Sequence, residues 1–199
     1  MSDTPSPTFI LASASPRRQQ LLAMIGFQPD EIIPADIDET PLKKELPKDY
    51  VLRVAQEKAA HIAKAKPGCV VLASDTTVAC GRTIMQKAES PDEARAFLTQ
   101  LSGRRHRVLT SVVVINAEGK MQGRVAETIV RFKRLHESEM EAYITSGEWE
   151  GKAGGYGIQG LASAFIPWIS GTHFTVMGLP LVETRHLLMQ AGIRPTSGA

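Results

Sequence analysis

Two arginines, Arg17 and Arg18, follow directly on Ser13, Ser15 and Pro16 in the stretch LASASPRR. Ser15 suits a helix N-cap and Pro16 the first helical position. Both arginines then fall in the first turn, where the helix dipole is already positive and acidic residues are favoured. Backbone N–H groups at a helix start, two serine hydroxyls and two guanidinium forks add up to a cradle for an oxyanion, and two forks suit a polyphosphate. The same residues also describe a capped surface helix with its arginines in solvent.

Three further groups could work with that cradle. Asp75 follows the apolar run VVLAS at the expected carboxyl end of a buried strand, where ligands of open α/β sheets gather; an Asp there also suits a plain turn. Lys58 falls on the apolar seam Val51, Ala55, Ile62 of a helical pattern, so it either snorkels to water or points at an anion. Lys87 sits in a loop before a capped helix and says little alone. The acidic loop with Asp36, Asp38 and Glu39 is solvated surface or, beside a phosphate site, a source of oxygen ligands for a hard cation such as Mg²⁺. The glycine-rich run GKAGGYGIQG carries Lys152 and Gln159 and either lets backbone approach a ligand or merely connects. Its GYGIQG matches a dinucleotide-binding pattern, but the strand before and helix after that such a site requires are missing. GEWEGKA has Walker-like spacing one residue short, with Ala153 where a metal-binding hydroxyl belongs.

The elements that must position these residues can be read from periodicity and punctuation. A strand is expected over about 8–13 and a helix from Pro16 to about Ile25, stopped by Gly26. A short strand and the acidic loop fill 27–47, then a helix covers 49–66. CVVLASDTTVAC reads as a buried strand. SPDEARAFLTQLSG is a helix capped by Ser90, with Pro91 first and Gly103 past its end. Two β-rich runs, HRVLTSVVVIN and GRVAETIVRFKRL, flank a turn at NAEGK. A short helix at ESEMEAYITSG, a strand-like LASAFIPWI and a last helix at LVETRHLLMQAG complete the chain. The mixture is an α/β (α+β) fold on a mixed twisted sheet with flanking helices, not a regular doubly wound one. Residues 1–7 and 195–199 read as frayed.

The chain has 199 residues, 43% of them hydrophobic, enough for one sizeable core or for two small lobes that share one. A net charge of +2 is too small for a dedicated nucleic-acid binder. The basic run GRRHR lacks the interleaved aromatics of a stacking surface, so no nucleic-acid partner is expected. Cys69 and Cys80 read as free thiols in a reducing, cytoplasmic setting. No signal-peptide pattern opens the sequence, no apolar run can span a membrane, and the five histidines lack zinc-ligand spacing.

In order along the chain, LASASPRR, YVLRVAQEKA, SDTTV, LSGRRHRVLTSV, GKAGGYGIQG and GLPLVET resemble the successive signature blocks of the Maf family, from about residue 9 to 188. The resemblance implies one Maf-like domain over 1–199, with two lobes around a deep cleft as in the inosine triphosphate pyrophosphatases, and commonly a homodimer. It implies a nucleotide pyrophosphatase that cleaves a nucleoside triphosphate between the α- and β-phosphates with a divalent cation (Mg²⁺, Mn²⁺ or Co²⁺). Asp75 would be the general base. Ser13, Arg17, Arg18, Lys58 and Lys87 would hold phosphates, and Glu39, with Asp75, would hold the metal or the water. Arg17, Thr76 and Gln159 resemble the subgroup acting on dTTP and UTP, where a neutral Gln suits a pyrimidine imide edge. The alternative reading is a non-catalytic nucleotide-binding regulator of septum formation. Gly151, Ala88 and Gly155 stand where the family more often has Asp, Pro and Ala.

Overall fold

The structure is a computed structural model that describes residues 7–196. Strands β1 (Phe9–Leu11), β2 (Glu31–Ile32), β3 (Val70–Cys80), β4 (Thr83–Met85), β5 (Arg105–Ile115), β6 (Met121–Arg131) and β7 (Trp168–Ser170) form one mixed sheet in the order β2-β1-β3-β5-β6-β7, with β4 on β3. Six helices attend it: α1 (Pro16–Met24), α2 (Pro47–Ala65), α3 (Pro91–Leu101), α4 (Glu137–Thr145), α5 (His173–Met177) and α6 (Leu181–Gln190).

The long strands are apolar because both faces are covered. On one face α2 lays Val51, Val54, Ala55, Ala59 and Ile62 against Ile10, Val71, Ala73, Ala79, Leu109 and Val113. The opposite face carries two separate apolar clusters. One gathers Leu11, Leu72, Val112 and Val114 with Leu21 and Leu22 of α1 and Leu187 and Leu188 of α6. The other gathers Val78, Val108, Val130 and Phe132 with Leu98 of α3, Tyr143 of α4, Tyr156 and Phe165. Along β3 this face reads Leu72, Ser74, Thr76, Val78, so two hydroxyl residues separate the clusters. These clusters are the two lobes, and the polar break between them is where the cleft opens.

The edge of β3 is notched at the same level. β5 pairs with β3 from Val71 to Ala79 along one edge. On the other edge β1 covers only Val70 to Leu72 and β4 only Val78 to Cys80. Residues 73–77, Asp75 and Thr76 among them, thus lack a neighbouring strand on that side.

Most expected elements are present with shifts of one or two residues, and Ser90 caps α3 by accepting from Glu93 N at 3.2 Å. Two expectations are corrected. Asp75 does not stand at the carboxyl end of a strand: β3 runs on for five residues to Cys80, as the reading of CVVLASDTTVAC as one strand has it, and it is β1 that stops short. LASAFIPWI is not one strand: Leu161–Phe165 forms a 3₁₀ turn and only Trp168–Ser170 joins the sheet. Gly160 and Pro167 punctuate that stretch, breaking the backbone pattern that its apolar residues suggest. Within the C-terminal segment expected to fray, Thr196 N donates to Gly26 O at 2.8 Å. Residues 1–6 and 197–199, also expected to fray, lie outside the described residues.

Candidate active site

The notch opens into a cleft of about 600 Å³ lined by the β1–α1 turn, Glu39, Lys58, Asp75, Thr76, Lys87 and the glycine-rich segment 151–153. Strand alternation sends Asp75 to the α2 face of the sheet and Thr76 to the other, so the cleft is furnished from both sides of β3.

On the α2 face, Lys58 does not snorkel. Its residue is 7% exposed, and its Nζ lies 2.8 Å from Asp75 Oδ1 and 2.9 Å from Glu39 Oε1. One buried ammonium thus bridges two carboxylates, and Lys87 Nζ stands 3.7 Å from Glu39 Oε2. Burial pushes the Glu39 carboxyl up, but the hydrogen bond and charge of Lys58, with Lys87 and Arg18 behind them, outweigh it and hold the group below its ordinary value. Among Asp36, Asp38 and Glu39, period-two alternation decides which enters: Ile33, Ala35, Ile37 and Glu39 turn inward, and Asp36 and Asp38 turn out.

On the opposite face, Arg18 donates from Nε to Gly178 O at 2.9 Å, from Nη1 to Ser13 Oγ at 2.9 Å and from Nη2 to Thr76 Oγ1 at 3.4 Å. All three acceptors are neutral. They orient the guanidinium without cancelling its charge and leave two N–H groups for a ligand. Arg17 Nε is buried and, among the described residues, has no hydrogen-bond partner. Burial lowers the Arg17 guanidinium from its usual value. Lys152 is likewise lowered, by burial first and then by Arg17. Two poorly compensated cations in one cleft make an anion-seeking surface. Ser15 occupies the N-cap position as expected but makes no side-chain cap; its N–H instead donates to Ser13 Oγ at 3.3 Å.

The structure gathers Ser13, Arg17, Arg18, Glu39, Lys58, Asp75, Thr76 and Lys87 around the cleft. It does not bring Gln159 there. Tyr156 and Ile158 are buried in the lobe and the chain turns back at Gly160, whose N–H donates to Gly157 O at 3.2 Å, leaving Gln159 exposed. Lys152 and Tyr156 of the same segment line the cleft instead. Tyr156 OH meets His106 Nε2 at 2.7 Å in the lobe core. No spacing signal ties residues 106 and 156 together, so the sequence could not pair them. The glycine-rich segment docks through a bridge between Lys87 and Ala153 and through Gly154 N, which donates to Gln86 O at 2.9 Å. Gly154 has φ +66°, and a Cβ there would come within 2.9 Å of Val78, so only glycine fits. Gly151, at φ +64°, has open space around it.

The family profile described as Maf-like protein matches residues 8–191. The chain belongs to the Maf family. Among its Maf relatives, the dTTP/UTP pyrophosphatase of Novosphingobium aromaticivorans is 53% identical over 188 residues, 94% of each chain. The dTTP/UTP pyrophosphatase of Roseobacter denitrificans is 56% identical over 189 residues, 95% of this chain and 100% of the relative. A HAM1 protein from Coxiella burnetii aligns in part, with a TM-score of 0.44 and 18% identity over 64% of this chain and 73% of that one. No described helix is long and apolar enough to cross a membrane.

Proposed function

We propose that this Maf protein hydrolyses the α–β phosphoanhydride of dTTP and UTP to a nucleoside monophosphate and pyrophosphate in the cytoplasm. The observation that carries the reading is the two-sided cleft: Asp75 held against Lys58 on one face of β3, and on the other the guanidiniums of Arg17 and Arg18, neither in a salt bridge among the described residues. The names of the relatives at more than half identity agree with it.

Phosphoanhydride hydrolysis asks chiefly for positioning and charge stabilisation. Arg17, Arg18 and Lys152, with Ser13 Oγ, would receive the triphosphate oxygens. Asp75 would orient a water and take its proton. Lys58, hydrogen-bonded to Asp75, keeps that carboxylate directed into the notch and offsets charge as pyrophosphate departs. Thr76 and Arg17 would shape the choice of base, whereas Gln159 could act only if its segment rearranged on binding.

No group of three or more possible metal-ligating side chains occurs among the described residues. Two carboxylates completed by substrate phosphates nevertheless make the usual oxygen set for Mg²⁺, so Glu39 and Asp75 fit a cation that arrives with the nucleotide. Such a cation would supply charge neutralisation and a more acidic water.

The deciding experiment is pyrophosphate release from a panel of nucleotides with Mg²⁺, Mn²⁺ and Co²⁺, run beside Asp75→Asn. Turnover fastest on dTTP and UTP, lost in Asp75→Asn with nucleotide binding retained, is expected. Binding without turnover in the unaltered protein would favour the regulatory alternative. Faster turnover of 7-methyl-GTP would overturn the base preference.

A further inference from the structure

Glu39 is carried by the segment between β2 and α2, which forms no helix or strand from Ile33 to Leu46. Among the described residues, its backbone from Pro34 to Glu45 makes no hydrogen bond to backbone outside the segment; Glu45 N to Leu42 O is internal. Its inward apolar residues are few: Ile33, Ala35 and Ile37. A strap so lightly attached cannot by itself hold a carboxylate to within hydrogen-bond distance of Lys58.

The missing attachment comes from side chains of α2. Tyr50 OH donates to Glu39 O at 3.0 Å. Arg53 Nη2 donates to Thr40 O at 3.1 Å, and its Nε and Nη2 clasp the two oxygens of Glu45 at 2.7 and 2.9 Å. Glu45 in turn accepts from Leu42 N at 2.9 Å, closing the end of the strap. Tyr50 and Arg53, three residues apart, are neighbours on α2, the helix that also presents Lys58. Burial, with Asp75 nearby, pushes the Tyr50 hydroxyl up to about 12, so it stays protonated and remains a donor.

We infer that Tyr50 and Arg53 are positioning residues: by gripping the carbonyls of Glu39 and Thr40 they fix where the Glu39 carboxylate stands. Neither need touch the nucleotide. The role in turnover rests on the proposed hydrolysis, while the grip on the strap does not.

The test therefore has two arms. The first follows amide hydrogen exchange across residues 35–45 in metal-free, nucleotide-free protein for the unaltered chain, Tyr50→Phe and Arg53→Met. Phe keeps the ring and its packing, which separates loss of the hydrogen bond from loss of the fold. Exchange of the strap should quicken roughly 3- to 10-fold in Tyr50→Phe, as expected for one lost hydrogen bond, and by at least as much in Arg53→Met, which loses the bonds to Thr40 O and to both Glu45 oxygens, while β3 and β5 keep their protection. Unchanged exchange in both variants would overturn the inference. The second arm measures kcat and KM for dTTP in the native and Glu39→Gln backgrounds. Each variant should lower kcat by roughly 3- to 10-fold in the native background, with KM little changed, and have almost no effect once Glu39 is Gln. An undiminished kcat in the native background, or an equal loss in both, would refute the positioning role. An unaltered protein that hydrolyses neither dTTP nor UTP would sink the functional reading alone, leaving the exchange arm to decide the grip.

Discussion

Lys58→Met should destabilise the protein in a way that depends on pH. The substitution keeps the length and apolar stem of the side chain but removes the ammonium between Asp75 and Glu39, 2.8 and 2.9 Å away. Deleting one partner of a buried ion pair costs about 3–5 kcal/mol. Here the cleft is open and the Glu39 side chain is 33% exposed, so water repays part of the loss and about 2–3 kcal/mol is expected. For a chain of this size that lowers Tm by roughly 5–10 °C. In the unaltered protein Glu39 is held below its ordinary value of 4.5, so its contribution to stability is present above that value and fades as pH falls through the folded one. Without Lys58 the burial contribution is no longer outweighed, the carboxyl moves up, and its charge destabilises the fold at neutral pH but not once protonated. The gap in Tm should be widest near about pH 8 and narrow toward about pH 4. Differential scanning calorimetry of both proteins across that range reads it directly, and Lys58→Met/Glu39→Gln should recover part of the loss. A gap that stays constant with pH would show that Lys58 contributes packing and not charge compensation.

The two arginines should separate. Arg18→Ala removes three hydrogen bonds and is expected to cost about 1–3 kcal/mol and to weaken every triphosphate, whereas Arg17→Ala should leave Tm nearly unchanged and reorder the nucleotides; equal Tm losses, or an equal loss across all bases for Arg17→Ala, would contradict this. Burial lowers His106 from 6.5 to about 4, so it is neutral when folded and charged when unfolded across that window. Acidification through the window should cost the native protein up to about 3 kcal/mol, and His106→Phe should flatten that slope in urea titrations. Gly154→Ala places a Cβ against the buried Val78 at φ +66°, so a loss of about 1–3 kcal/mol is expected, together with a raised KM as the Lys87–Ala153 bridge shifts; a variant with native Tm would show that the turn can relax.

Much of the site was legible in residue order because it rests on local rules. Pro16 and Gly26 bound α1, Ser90 caps α3, and the 3.6-residue seam already placed Lys58 on the inward stripe of α2. Whether that lysine snorkelled or met an anion depended on what β3 presents to the same face, which no local pattern contains. Asp75 faces an open notch because β1 stops three rungs earlier and β4 begins three rungs later, and its own neighbours in sequence give no hint of either. The mixed composition of LASAFIPWI hid a 3₁₀ turn, and Gln159 was lost to the cleft when Tyr156 and Ile158 took the interior. The sequence alone therefore determined which residue types lie on which helix or strand face. Only the tertiary structure decided that Lys58, Asp75 and Glu39 meet, because that meeting depends on unequal strand lengths and on a strap held by side chains, both of them long-range facts.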